Sequence, residues 1–167
     1  SFPLPYNQTK VTLDQDSTDE DVIQTSIGQG KTQITPVQLN LITAAIANGG
    51  KLMQPIVVDR VLNADGKILE KNEPSVYREL MSEKESEVMI SLMEDVVQEG
   101  TGRKLKARSY TAAGKTGSAE FSSDKSESHA WFTGFAPAEN PEIAVTVIVE
   151  SAGSGSDYAV PLARQVF

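Results

Sequence analysis

Three stretches that read as β-strands follow one another between residues 110 and 150, and the links between them are too short to hold a crossover. Tyr110-Thr-Ala-Ala-Gly-Lys-Thr-Gly-Ser-Ala-Glu-Phe121 is the first, residues 129–135 the second and 143–150 the third. A polar loop over 122–128 and a Pro-bounded turn over 136–141 connect them. Parallel neighbours need a dozen or more connecting residues, usually a helix, whereas antiparallel neighbours need only a turn. The pattern predicts an antiparallel meander over 110–151 with the first strand at one side.

That first strand is unusual in what it carries. Gly114 and Gly117 forgo side-chain packing, as a strand does where another backbone or a ligand must come close. Under the period of two, Lys115 and Gly117 share one face, so the missing side chain leaves room beside the ammonium, while Thr116 and Ser118 point to the other. One small ligand meets all three side chains only by lying along the strand's edge. The expectation is an edge strand that takes up a peptide-like substrate by β-augmentation.

The remainder reads as scaffold. Residues 1–34 are expected to be a loop-rich lead-in with a solvated acidic cluster at Asp14, Asp16, Asp19, Glu20 and Asp21. The Asp14-x-Asp16 spacing lacks the glycine and closing glutamate of a calcium loop. Gly28-Gln-Gly30-Lys31-Thr32 imitates a phosphate loop, but Thr25 stands where that motif needs glycine. A helix is predicted over 35–50, with Thr35 as cap, Pro36 at its first position and Gly49-Gly50 at its end; Leu39, Ile42, Ala45 and Ile46 line one face. A hairpin is expected over 52–71, with Ile56-Val57-Val58 and Val61-Leu62 on one side of the Asn63-Ala-Asp-Gly66 turn. A second helix over 82–99 starts at a Ser82/Glu85 capping box, with Val88, Met89, Ile90, Leu92, Met93 and Val96 as its apolar face. Lys104, Lys106 and Arg108 form a short basic run before the glycine-bearing strand, and an incomplete final helix is expected over 157–167.

Composition removes several function classes. The formal charge of −8 argues against nucleic acid or an anionic membrane surface as partner. With no cysteine and a single histidine, His129, thiol chemistry and zinc are not expected, and no cofactor is called for. His129 is read as a packing residue, and Trp131, Phe132 and Phe135 as core, with whichever of them faces the cleft able to contact substrate. No apolar run is long enough to span a bilayer.

Lys115-Thr116-Gly117-Ser118 resembles the third signature box of penicillin-binding proteins and serine β-lactamases. Ser26-Ile-Gly-Gln-Gly30, Thr35-Pro-Val-Gln-Leu39, Ala44-Ala-Ile-Ala-Asn-Gly-Gly50 and Ala130-Trp-Phe-Thr-Gly-Phe-Ala-Pro137 resemble, in the same order, stretches of the class B, monofunctional D,D-transpeptidases. The resemblance implies an α+β fold, an antiparallel sheet flanked by helices, of which residues 1–167 form the carboxy-terminal part. It implies that Lys115, Thr116, Gly117 and Ser118 bind the carboxylate of a D-alanyl-D-alanine stem peptide or of a β-lactam. Lys115 and Ser118 are the residues it marks as catalytic, Ser118 through a backbone N–H in the oxyanion hole. The fourth position of the box is more familiar as threonine; serine keeps the hydroxyl and drops a methyl.

The family's other two boxes have no counterpart of the right kind. The only Ser-x-x-Lys string, Ser122-Ser-Asp-Lys125, follows the third box in a polar loop, and there is no Ser-x-Asn. The nucleophile is therefore expected upstream of Ser1, and the chain alone is expected to be inert. By resemblance the parent is anchored at the outer face of a bacterial cytoplasmic membrane and works with a glycan polymerase of the division or elongation machinery. A D,D-carboxypeptidase or β-lactamase of the same fold, or a non-enzymatic β-lactam sensor, are the alternatives left open by these residues.

Overall fold

In the computed structural model, which describes residues 7–107, 109–121 and 128–167, strands β5 (Ala113–Glu120), β6 (Ser128–Ala136) and β7 (Ile143–Val149) form an antiparallel sheet in the order β5-β6-β7. Elements are numbered in chain order, so four shorter strands precede these. The register pairs Lys115 with Thr133, Thr116 with Phe132, Gly117 with Trp131 and Ser118 with Ala130. Paired residues of an antiparallel ladder share a face. Ala113, Lys115, Gly117 and Ala119 therefore lie on one face with Phe135, Thr133, Trp131 and His129; Thr116 and Ser118 lie on the other with Phe132 and Ala130.

Each face has its own core. On the Lys115 face, helix α2 (Pro36–Ala47) brings Ile46 against Ala113 and Phe135, with Met93 and Ala138 beside them. On the opposite face Phe132, Ala130 and Ala136 pack with Ala159, Val160 and Ala163, which belong to a π-helical turn (Gly155–Ala159) and helix α4 (Val160–Val166). Phe132 and Phe135 are both fully buried because their odd spacing sends them to different faces. Helix α3 (Glu83–Gln98) serves both cores, with Met93 in one and Val97 in the other.

Helix α2 is registered on the sheet by hydroxyls. Buried Thr43 donates to the carbonyl of Leu39 at 2.9 Å and accepts from Thr133 at 2.7 Å; the one Thr146 proton is shared between Thr133 Oγ1 at 2.7 Å and Asn40 Oδ1 at 3.2 Å. Satisfied polar networks of this kind specify how two elements sit together.

Four expectations need correcting. The acidic lead-in contains a helix, α1 (Asp19–Ser26), started by a capping box in which Thr18 and Asp21 satisfy each other's backbone N–H. Three carboxylates in its first turn complement the positive end of the helix dipole, so the cluster is more than a solvated patch. The hairpin is shorter than 52–71. Strand β2 (Arg60–Leu62) pairs with β3 (Ile68–Lys71), while β1 (Lys51–Met53) pairs with β4 (Val76–Glu79), a strand that the sequence reading missed. Ile56, Val57 and Val58 are exposed and form no strand. Asn63 fixes the shorter hairpin, its side chain accepting from the N–H of Asp65 and of Lys67 at 3.1 and 2.8 Å.

In α3 the buried side overlaps the expected one only in part: Met93 is in the core and Ile90 packs against it. Val88, Met89 and Leu92 are exposed, while Ser86, Met93 and Val97 are buried. Ser86 is accommodated on the inner face because its Oγ donates to the Ile46 carbonyl at 2.5 Å, so that a polar residue has a buried partner there. Trp131, finally, is not enclosed in either core. Among the described residues no helix is long and apolar enough to cross a membrane.

Candidate active site

Strand β5 lies at the edge of its sheet, with β6 on one side and no strand paired to the other among the described residues. Along it runs a cleft of ≈ 330 Å³ whose β5 wall is Lys115 to Ala119 and whose floor includes Trp131 and Thr133. The far wall is the loop between α1 and α2, with Ile27, Gly28, Gln29 and Thr32. Gly28 and Gly30 take left-handed φ values of 76° and 71°, which only glycine adopts at little strain, and so turn the Gln29 side chain toward the sheet. Gln29 Nε2 then donates to the Ser118 carbonyl at 3.2 Å.

The structure places the four expected site residues as neighbours on this one edge. The Lys115 side chain is exposed and its Nζ donates to the Thr116 carbonyl at 2.7 Å. Thr116 Oγ1 is bonded to Thr101 Oγ1 at 2.5 Å, in the turn that follows α3. Ser118 is exposed beside them. The arrangement sets a positive charge, hydroxyls and free-edge backbone groups along one line, the chemistry needed to hold an extended ligand by its main chain and to neutralise a carboxylate.

The two strand glycines have different uses. A Cβ on Gly114 would lie 2.4 Å from Phe132 Cζ, so this glycine makes room for a core ring and not for a ligand. A Cβ on Gly117 would meet only Trp131 Cβ, at 3.4 Å, on the cleft side. Behind the strand, Gly155 of the π-helical turn sits so close to the backbone of Gly117 and Trp131 that no side chain fits there.

Reading the sequence alone missed Gln29 and Thr32 as cleft residues and left open which of Trp131, Phe132 and Phe135 faces the cleft; it is Trp131. Trp131 Nε1 and Thr32 Oγ1 are buried side-chain atoms without a hydrogen-bond partner among the described residues, and both residues line this cleft. What assigns Trp131 to the cleft is the register, since a residue paired with Gly117 shares its face. His129 behaves as expected of a packing residue. Its Nδ1 accepts from the Ser151 N–H at 3.1 Å and its ring stacks on Phe121 at 4.3 Å.

Of the basic run, Lys104 is engaged by Asp157, whose carboxyl it holds below the usual range by hydrogen bonding, with Ser154 assisting. Arg108 and the Ser122-Ser-Asp-Lys125 string lie outside the described residues. No group of acidic or histidine side chains able to hold a metal ion occurs among the described residues.

Comparison with known proteins agrees with this geometry. The model of the penicillin binding protein transpeptidase domain matches residues 4–167. Over 165 residues the chain is 39% identical to peptidoglycan D,D-transpeptidase MrdA of Haemophilus influenzae, covering 87% of this chain and 25% of that relative. It is 37% identical to the protein of the same name from Acinetobacter baumannii over 88% of this chain and 24% of the relative, so it spans about a quarter of these proteins' length. Among solved structures, penicillin-binding protein A of M. tuberculosis as its ceftriaxone acyl-enzyme superposes with a TM-score of 0.89 at 30% identity, over 99% of this chain and 38% of that one. Fold, order of motifs and sequence agree: the chain belongs to the penicillin-binding protein transpeptidase domain family, as a class B member.

Proposed function

We propose that this chain is the carboxy-terminal part of the catalytic domain of a serine-type peptidoglycan D,D-transpeptidase, and that it supplies the substrate-carboxylate clamp and one donor of the oxyanion hole. The observation that carries the reading is the free edge of β5 facing a cleft, with Lys115, Thr116, Gly117 and Ser118 in line along it. A stem peptide or β-lactam lies along this edge as an added strand. Its carboxylate is held by the Lys115 ammonium and the hydroxyls of Thr116 and Ser118; hydrogen bonds to charged groups contribute about 1.5–3 kcal/mol each. The Ser118 N–H donates to the oxygen on which charge develops during acyl transfer, an interaction whose loss elsewhere lowers rate about 100- to 1000-fold.

The serine nucleophile and its neighbouring lysine come from outside this chain, and the chain alone is inert. The parent works at the outer face of the cytoplasmic membrane with a glycan polymerase, uses no metal or cofactor, and is acylated by β-lactams. Solved relatives carry β-lactams as acyl-enzymes, which supports this last point.

The test is intact-mass analysis after penicillin treatment of the chain and of its full-length parent. The expected result is a covalent adduct on the parent, none on the isolated chain, and acylation of the parent slowed strongly by Lys115→Ala. Acylation of that variant at the wild-type rate would remove the clamp role from Lys115, and an adduct on the isolated chain would place a nucleophile within it.

A further inference from the structure

The free edge of β5 is occupied by the chain's own side chains. In an antiparallel strand, residues two apart direct their N–H and C=O groups to the same side. The carbonyls of Thr116 and Ser118 are such a pair, and each accepts from a side chain: Thr116 from Lys115 Nζ at 2.7 Å, Ser118 from Gln29 Nε2 at 3.2 Å. A ligand that adds itself as a strand must offer its own N–H groups to these acceptors. The primary amide of Gln29 already presents a planar N–H donor to the Ser118 carbonyl, as a peptide group of an added strand would.

The loop that carries Gln29 is built to hold that amide in place without locking it. Gly28 and Gly30 flank it with left-handed backbone, and the Gln29 N–H is anchored to the Gln24 carbonyl at 2.8 Å. A Cβ on Gly28 would have nothing within 4 Å, so the loop has open space on one side. The side-chain bond itself is exposed and long for an amide donor. Such a bond is readily exchanged.

We infer that Gln29 is a specificity-determining residue of this site: its side-chain amide occupies the Ser118 carbonyl as a stand-in for the ligand's N–H and must be displaced by any ligand that uses that acceptor. This rests on the reading of the β5 edge as the place where substrate or β-lactam lies. The consequence is selective. A ligand with an amide N–H to offer competes with Gln29, whereas a ligand without one leaves Gln29 where it is.

The test compares two β-lactams on the full-length parent: benzylpenicillin, whose acylamino group carries an N–H, and sulbactam, a penicillanic acid sulfone with no such group. Gln29→Met keeps the length of the side chain and removes the donor; Gln29→Ala serves as the second variant. For benzylpenicillin the acylation efficiency is expected to rise about three- to tenfold in both variants, the order of one exposed hydrogen bond, through tighter initial binding with the acylation step itself unchanged. For sulbactam it is expected to stay within about twofold, the neutral level against which that gain is judged.

An equal change for both ligands, no change, or a fall for benzylpenicillin overturns the role of Gln29 while leaving the site assignment standing. A wild-type parent acylated by neither compound overturns the site assignment, and the role of Gln29 with it.

Discussion

Replacing Gly155 with alanine probes the seat of the candidate site from behind. The π-helical turn approaches the sheet so closely that the new Cβ would lie 2.3 Å from the Trp131 carbonyl oxygen, 2.6 Å from that of Gly117 and 3.1 Å from the Gly117 nitrogen. The two shorter distances are roughly 1 Å inside ordinary contact, and the atoms met belong to two paired strands, so no rotamer change relieves the overlap. Overpacking of this kind costs about 1–3 kcal/mol. Thermal denaturation of the protein that carries the chain should show a lower Tm, by less per kcal/mol than a unit of this size alone would show, because the entropy of unfolding grows with chain length.

The same push moves Gly117, and with it Ser118. A displacement near 1 Å at a reacting centre can lower rate about 100-fold, so penicillin acylation is expected to fall well beyond what the loss of stability explains. Gly153→Ala is the control. Its φ of 84° strains any other residue, but nothing lies within 4 Å of a Cβ there, so it should lower stability by about 1–2 kcal/mol and leave acylation alone. A Gly155→Ala protein with wild-type Tm and wild-type acylation would refute the claim that this turn sets the position of Gly117.

Further outcomes follow from the same contacts. Thr43→Val keeps shape but breaks the hydroxyl chain to Thr133, and should lower stability by about 1–2 kcal/mol in denaturant titration, with the Thr133 hydroxyl losing a buried partner. Ser86→Ala leaves the Ile46 carbonyl without its donor and should cost about 1–3 kcal/mol, whereas Val88→Ala on the exposed side of α3 should change stability by less than about 0.5 kcal/mol. Asp21, Glu85, Glu139 and Asp157 each have a carboxyl held below its usual range, chiefly by side-chain hydrogen bonds from Thr18, Ser82, Thr111 and Lys104 respectively. Because the folded values lie below the unfolded ones, their stabilisation is complete above the ordinary carboxylate range and is lost as pH falls through the folded values. Thermal melts should therefore show a flat contribution from these groups near neutrality and a decline below about pH 4, shallower in Asp157→Asn.

What the sequence determined by itself is whatever depends on near neighbours. Thr35-Pro36 and Ser82 with Glu85 start helices because the groups they satisfy lie within three residues. The Thr18/Asp21 box is as local as the Ser82/Glu85 one and belongs with it; it was passed over because the acidic run around it reads as loop. The antiparallel order of the last three strands follows from links too short for any other connection. Lys115, Thr116, Gly117 and Ser118 could be singled out because four consecutive residues carry the pattern, and the order of the motifs around them pointed to the family.

The tertiary structure decided what depends on distant partners. β1 found β4 across more than twenty intervening residues, and no local pattern encodes that choice. Ser86 can sit on the inner face of α3 because the Ile46 carbonyl, 40 positions away, accepts from it. The cleft is the extreme case. Gln29, Trp131 and Lys115 are separated by up to 102 positions and share no motif, so their meeting is a property of sheet register and of a glycine-flanked loop folded back upon the strand's free edge.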